Sequence, residues 1–244
     1  MSDISGSNSE LLSILTTPPP QSIGDVLRIL REIDSILPDS DGLKWFNWLY
    51  LRVTAEVDRV LSSGFCKDPK FLDLLDARFA NLFLSALRNW LSTGETPRCW
   101  SVLFEKRMDA RLARIQFALS GINAHIDNDL AQALVITCAE LGLVPAHGTP
   151  QYHDYTRLNA VIESQIDGAK SELMVRLLGR VLPAANHLED LKAAWGVSSA
   201  RELAWLNAET LWHLRDWPEL YNGQLAVLDG LAEKASKILL VPVP

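Results

Sequence analysis

One stretch of the chain combines residue types that can transfer a proton. In GINAHIDNDLAQAL (121–134), His125 stands four residues before Asp129, a spacing that puts both side chains on one face of a helix. A carboxylate that hydrogen-bonds to an imidazole orients the ring and leaves its other nitrogen to act as general base or acid. We expect a dyad in which His125 transfers the proton and Asp129 orients it. A core histidine satisfied by its helical neighbour remains the alternative.

Asp129 occupies a position that helix packing should carry inward. It lies seven residues after Ile122 and seven before Ile136, two residues that point the same way along a helix. A carboxylate buried there must be paired, hydrogen-bonded or protonated, because a lone buried charge is strongly unfavourable. We therefore expect Asp129 to be largely buried and within reach of His125.

Carboxylates elsewhere interrupt apolar faces and could meet this dyad. Asp76 falls inside the apolar arc of a helix expected over 68–91, as a second catalytic carboxylate or as half of a structural ion pair. Asp154 stands near the start of a later helix, where it either contacts the substrate or caps the helix. Both interpretations stay open for each residue.

Three uncharged polar residues complete the expected site. Asn123 lies on the helix of the dyad, Asn159 follows one turn after the start of the later helix, and Tyr50 belongs to a helix expected over 42–63. All three are expected to contact the substrate, with Asn123 as a hydrogen-bond partner. The site would then lie in a crevice between three helices.

A metal centre is a weaker interpretation of the same residues. Zinc or iron needs three or four ligands, of which His125 and Asp129 would supply two, with Asp76 and Asp154 to complete the set. The sequence has neither the HExxH motif nor the paired Glu-x-x-His of di-iron bundles, and it has no phosphate-binding glycine loop or GxSxG elbow. We expect no metal and no cofactor, with a metal-dependent hydrolase as an alternative.

The elements that must position these residues are helices. Apolar residues recur with the helical period along the chain, and the alternation typical of strands is not found. We expect an all-α fold, a single bundle-like domain of about ten helices over residues 22–244. Residues 1–21, rich in Ser and Thr and ending in three prolines, are expected to form a disordered arm.

Start and stop signals set the bounds of three of the predicted helices. One is expected over 96–120, beginning at Thr96-Pro97, and one over 122–141, with Gly121 as either a helix end or a kink. Another is expected over 186–195, before the capping pattern Ser199-x-x-Glu202.

Composition limits the class of partner. The 244 residues carry a net charge of −7, which argues against nucleic acid as a partner. The longest uncharged apolar stretch, over 130–139, is shorter than the roughly 20 residues that span a bilayer, so no membrane association is expected. The three cysteines are an odd number at wide spacing; with no signal-peptide pattern, they indicate reduced thiols and a cytoplasmic location.

Several stretches resemble an uncharacterised bacterial and fungal domain family of unknown function. They are DGLKWFNWLYLRVT (41–54), FLDLLDARFAN (71–81), GINAHIDNDLAQAL (121–134), HDYTRLN (153–159) and ARELAWLNAETLW (200–212). The resemblance implies that six residues of this chain occupy signature positions of the family: Asp76, Asn123, His125, Asp129, Asp154 and Asn159. It implies sites and no particular chemistry.

These observations favour a small-molecule enzyme that uses a His–Asp acid/base site. The reaction expected is a metal-independent hydrolysis, elimination or cyclisation of an apolar natural product, as carried out by a lyase, cyclase or hydrolase of secondary metabolism. The alternative is a non-catalytic helical module that binds a ligand or another protein. The expected partner is an apolar small-molecule ligand, and the oligomeric state stays open.

Overall fold

The computed structural model describes residues 2–178 and 196–242, whose regular structure is helical throughout. The expected all-α class is confirmed, and the described residues contain no strand. A π-helical turn, His125–Asp129, joins two of the helices without a break. The α-helices, in chain order, are α1 (Ser2–Leu15), α2 (Ile23–Ile36), α3 (Gly42–Ser62), α4 (Pro69–Ser92), α5 (Arg98–Lys106), α6 (Arg114–Ala124), α7 (Leu130–Glu140), α8 (Pro150–Arg157), α9 (Asn159–Leu178), α10 (Val197–Leu214) and α11 (Pro218–Leu239).

Helix α3 is central to the packing, with α2, α6 and α9 against it. Its contact with α6 is very close, because Gly121 leaves room for the ring of Phe46 where a Cβ atom would overlap that ring. Gly121 lies within α6 and does not end it. It permits α3 to approach the turn that carries His125.

The N-terminal residues differ from the expected disordered arm over 1–21, because residues from Ser2 to Leu15 form α1. The apolar residues Leu11, Ile14 and Leu15 follow one another at helical spacing, and both leucines are buried against the core. Helix α1 packs on α2 and α4. The prolines that follow it interrupt the helix, while the apolar stripe before them is enough to dock it.

The helix expected over 96–120 is interrupted. Helix α5 ends at Lys106, and the chain turns before α6 begins at Arg114. At the break, buried Arg107 binds the carboxylate of Asp41 with 2.6 Å between Nη2 and Oδ2, and its carbonyl accepts from the N–H of Gly42. This contact with the start of α3 outweighs continuation of the helix, and a local sequence pattern does not reveal it.

Other bounds and properties follow the sequence more closely. The helix expected over 122–141 is present as the π-helical turn and α7, while the prediction over 186–195 lies outside the described residues. Within the parts of the chain that the structure describes, no helix is long and apolar enough to cross a membrane.

Candidate functional site

The candidate site is built on the π-helical turn between α6 and α7. The N–H of Leu130 donates to the carbonyl of His125, five residues earlier instead of four. Such turns are uncommon and often occur at functional sites, because the wider turn redirects side chains. The turn is buried: His125 is 3% exposed, and Asn128 and Asp129 are each 2% exposed.

Three donors converge on the carboxylate of Asp129. Its Oδ2 atom lies 3.0 Å from Nδ1 of His125 and 3.0 Å from Nε1 of Trp100, and its Oδ1 atom lies 2.7 Å from Nδ2 of Asn128. An ionised carboxylate has acceptor atoms only, so Nδ1 of His125 carries the hydrogen in this contact. The predicted burial of Asp129 and its pairing with His125 are both confirmed.

The other nitrogen of His125 is buried without a hydrogen-bond partner among the described residues. Burial lowers the pKa of His125 below its ordinary value, although the hydrogen bond to Asp129 acts in the opposite direction. The ring is therefore a neutral imidazole near pH 7, and Nε2 holds an unshared lone pair. This arrangement can accept a proton.

Aromatic rings enclose the imidazole. Phe79 lies flat against it, with 3.4 Å between ring centroids and 5° between ring planes, and Tyr50 meets it edge-on at 4.7 Å. Phe46, Phe83 and Trp100 lie further out, with centroids between 5.8 and 6.2 Å away. These apolar walls explain the loss of hydration that lowers the histidine pKa.

The hydroxyl of Tyr50 belongs to the same cluster. Burial raises the pKa of Tyr50 well above its ordinary value, and the charges of Asp76 and Asp129 raise it further. The Thr54 hydroxyl, one turn along α3, opposes this rise only in part, and neither hydroxyl makes a hydrogen bond of good geometry. Tyr50 therefore presents a neutral, unpartnered hydroxyl beside His125.

Asp76 approaches from α4, three residues before Phe79 and so on the same side of that helix. The residue is partly buried, and its Oδ2 atom is fully buried without a partner among the described residues. Burial raises the pKa of Asp76 to about 8, with further contributions from the charges of Asp73 and Asp58. Asp76 is consequently a neutral carboxylic acid near pH 7, able to donate a hydrogen bond.

Asn123, expected to contact the substrate, lies outside this cluster. Its side-chain amide donates to the carbonyl of Ala232 at 2.8 Å and to Oγ of Ser236 at 3.0 Å. Both acceptors belong to α11, so Asn123 links α6 to the C-terminal helix. The expected contact of Asn123 with the substrate is thus replaced by a contact between two helices.

Asp154 and Asn159 also have other partners. Asp154 accepts at 2.6 Å from the N–H of Asp68, just before α4, which is about 12 Å along the helix from Asp76. It does not cap its own helix, because Thr149 does so. Asn159 accepts from Nε of buried Arg201 at 2.6 Å. Both residues thus stabilise contacts between helices, and the structure does not bring them to His125.

Three residues of the cluster were not expected from the sequence. Asn128 precedes Asp129 directly, and adjacent residues do not face each other on a regular α-helix. Trp100 lies on α5, whose orientation depends on the break after Lys106. Phe79 was one of many apolar residues on its helix. Only the proximity of Asn128 to Asp129 in the motif offered any signal.

A metal centre needs at least three ligand side chains arranged around one point. Residues 2–178 and 196–242 contain no set of three or more His, Cys, Asp and Glu side chains with a suitable arrangement. The cluster around His125 offers hydrogen-bonding and proton-transfer groups instead.

The comparisons with known proteins give a family and no activity. A family model, described as a family of unknown function (DUF5995), matches residues 23–242. This match spans every residue of the cluster, from Tyr50 to Asp129. No curated protein and no solved structure matches the chain.

Proposed function

The chain belongs to the family of unknown function DUF5995, and we propose that it is a small-molecule enzyme in which His125 transfers a proton and Asp129 orients it. The observation that carries this proposal is the buried Nε2 atom of His125, which has no partner in the described part of the chain, while Nδ1 is held by Asp129. A neutral imidazole in this state is a general base, and Asp129 would stabilise the imidazolium that forms.

An unsatisfied lone pair inside a protein needs a reason. Leaving a buried polar atom unpaired costs about 1–3 kcal/mol, and here the unpaired atom is part of a group already desolvated by aromatic rings. A histidine with a purely structural role would be expected to satisfy both nitrogens. A substrate that brings a proton to Nε2 supplies the missing partner.

The proposed approach of a substrate to His125 is along α4. Asp76 and Phe79 are the partly exposed members of the cluster, so a substrate would enter beside them. The aromatic walls suit an apolar molecule with one polar group. Hydrolysis, elimination and cyclisation of an apolar natural product are the reactions that fit, and general acid–base catalysis of this kind contributes roughly 10²–10⁴-fold to the rate.

The test is an untargeted conversion assay. The full chain is incubated with a library of apolar natural products, and each compound is followed by liquid chromatography and mass spectrometry. We expect the wild type to convert at least one compound, and His125→Gln to lose the conversion by roughly 10²-fold or more. The matched control is His153→Gln, because His153 is exposed on α8 and outside the cluster.

The opposite results are equally clear. Conversion by His125→Gln at the wild-type rate would refute the role of His125. A wild type that converts no compound would contradict the proposal that the protein is an enzyme. Circular dichroism and thermal unfolding of each variant show whether a lost conversion reflects lost structure.

A second candidate function is a helical ligand-binding module, and one groove favours it. Helices α10 and α11 border a groove of about 390 Å³, within the roughly 300–1,000 Å³ typical of ligand pockets. Leu203 and Leu231 line it and are 56% and 59% exposed, and Asn207 and Gln224 supply polar groups. An apolar molecule with a polar end would fit such a lining.

Fluorescence of anilinonaphthalene sulfonate tests this second candidate. Leu231→Glu is expected to abolish dye binding, while Leu220→Glu, at a similarly exposed position of α11 outside the groove, should not. Equal dye binding by both variants, or none by the wild type, would count against the groove.

A further inference from the structure

The cluster around His125 contains more hydrogen-bonding capacity than a proton-transfer group needs. Besides Nε2 of His125, the hydroxyl of Tyr50 and the Oδ2 atom of Asp76 are buried and have no partner among the described residues. Tyr50 is 6% exposed and its ring touches the imidazole edge. Tyr50 and His125 share one aromatic enclosure, and Asp76 lies on α4 three residues before Phe79, whose ring covers the imidazole. Unsatisfied polar atoms placed in this way indicate a ligand that pairs with more than one of them.

The protonation states of the two additional groups determine what they can do. Tyr50 keeps its proton, because burial and the nearby carboxyl groups raise its pKa. Asp76 keeps its proton near pH 7, because burial and the charges of Asp73 and Asp58 raise its pKa to about 8. Both residues are then neutral hydrogen-bond donors, and beside them stands a base.

We propose that Tyr50 and Asp76 donate hydrogen bonds to the oxygen of a carbonyl substrate while His125 removes a proton from the adjacent carbon. This inference rests on the proposed function and names its substrate class: an apolar aldehyde, ketone or ester with an acidic hydrogen beside the carbonyl. Neutral donors in a desolvated site bind a developing oxyanion far more strongly than they bind the neutral carbonyl, which is the requirement for catalysis.

The step balances without any further reactant. The lone pair of Nε2 takes the proton, the C–H electron pair becomes the new C=C bond, and the carbonyl π pair moves to the oxygen. The enolate oxygen accepts from Tyr50 and Asp76, and the imidazolium is paired with Asp129. Return of the proton to another carbon gives isomerisation, while loss of a leaving group or attack on a second carbonyl gives elimination or cyclisation.

The probe for the donor pair is 4-nitrophenol, whose anion absorbs visible light and whose neutral form does not. The bound probe should transfer its proton to His125 and show the spectrum of the anion, because the two donors stabilise the phenolate oxygen. Tyr50→Phe and Asp76→Leu should each weaken binding about 10- to 100-fold, the range for a hydrogen bond to a charged group. The control Tyr221→Phe, on α11, should bind the probe as the wild type does.

A conservative variant separates donation from structure. Asp76→Asn keeps a neutral N–H donor, so it should bind the probe within a few-fold of the wild type below pH 8. As the pH rises past about 8, Asp76 loses its proton and can no longer donate. Any tighter binding of the probe by the wild type than by Asp76→Asn should then be lost. If Asp76→Asn instead behaves like Asp76→Leu at every pH, donation by a neutral Asp76 is refuted.

Other results would overturn the inference. A probe that binds as the neutral phenol, a wild type that does not bind it, or unchanged binding in Tyr50→Phe and Asp76→Leu would each do so. If these two variants also leave a His125-dependent conversion unchanged, this inference fails and the proposed function stands. If the probe responds as expected but no compound is converted, the donor pair stands and the proposed function fails.

Discussion

Nδ1 of His125 and Oδ2 of Asp129 lie 3.0 Å apart within a single turn, and this contact decides which nitrogen of the ring carries hydrogen. A carboxylate has acceptor atoms only, and this one also accepts from Trp100 and Asn128, so the hydrogen between it and the imidazole belongs to Nδ1. Asp129, four residues along the chain, therefore determines that Nε2 of His125 is the nitrogen that can accept a proton.

The tautomer of His125 can be measured directly. In ¹⁵N spectra of the wild type we expect the hydrogen of the neutral His125 ring on Nδ1. In Asp129→Asn the population with hydrogen on Nε2 should increase, because an amide satisfies Nδ1 in either state, and the free energy of unfolding should fall by about 1–3 kcal/mol. His153 provides an unaffected internal reference. A wild-type ring protonated on Nε2 would contradict the assignment of the base.

Asp76 should make the stability of the protein depend on pH. The folded state holds its proton more tightly than the unfolded state, since burial raises the pKa from 3.8 to about 8. Its contribution to stability is therefore fully present below pH 3.8 and is lost as the pH rises towards about 8. The charges of Asp73 and Asp58 also raise the pKa of Asp76, as burial does.

We expect Asp76→Asn to remove this dependence. Relative to the wild type, its free energy of unfolding in urea should increase between pH 4 and pH 8, by on the order of 1–3 kcal/mol. The exposed Asp216→Asn serves as the control and should follow the wild type at both pH values. A difference between Asp76→Asn and wild type that is the same at pH 4 and pH 8 would show that Asp76 ionises normally.

His147 should respond to pH in a different way. Its Nε2 lies 2.9 Å from Oε1 of Glu202 and its Nδ1 lies 2.6 Å from Oε1 of Glu209, so both nitrogens can donate only in the imidazolium form. The hydrogen bond to Glu202, followed by that to Glu209, raises the pKa of His147. The contribution to stability is present below pH 6.5 and is lost as the pH rises through the raised value.

NMR titration of the His147 ring checks this expectation. Glu202→Gln should lower the pKa of His147 relative to the wild type, whereas Glu219→Gln, an exposed change on α11, should leave its titration curve where it was. The effect on stability should stay below about 1 kcal/mol, because the pair is 40% exposed. Titration curves that coincide in all three proteins would rule out the pairing.

Gly121 tests the packing that positions His125. Gly121→Ala places a methyl group against Phe46, whose ring also contacts the imidazole, so the free energy of unfolding should fall by about 1–3 kcal/mol. Gly223→Ala, in the interior of α11 with open space around it, should instead stabilise by about 0.4–1 kcal/mol. Equal effects of the two changes on thermal unfolding would contradict the close approach of α3 and α6.

Sequence reasoning was most successful where helical period alone decides the direction of a side chain. The spacing of Asp129 from Ile122 and Ile136 predicts an inward side chain, and the structure buries it beside His125, although the π-helical turn between Ile122 and Asp129 departs from the α-helical period. The period also placed Asp76 and Tyr50 on inward faces. These two residues lie in the cluster together with His125 and Asp129, where α3, α4 and the π-helical turn pack together.

The remaining residues depend on long-range contacts that no local pattern encodes. Asn123, expected to contact the substrate, meets α11, more than 100 residues later in the chain. Trp100 reaches Asp129 from α5, a helix that ends next to the pair of Arg107 and Asp41. The choice of partner helix, rather than the choice of face, is what sequence alone left undetermined.

The π-helical turn also has a consequence for the winding of the long helix formed by α6 and α7. A turn closed over five residues holds one residue more than an α-helical turn, and each residue of an α-helix rotates the chain by about 100°. Removal of one residue from 126–128 would therefore rotate α7 relative to α6 by about that angle. After such a rotation, α6 could keep its packing against α3 and α11, or α7 could keep its packing against α4 and α10. The two sets of contacts could not both be kept. The number of residues in this turn, independent of their side chains, sets the phase between the two halves of the helix.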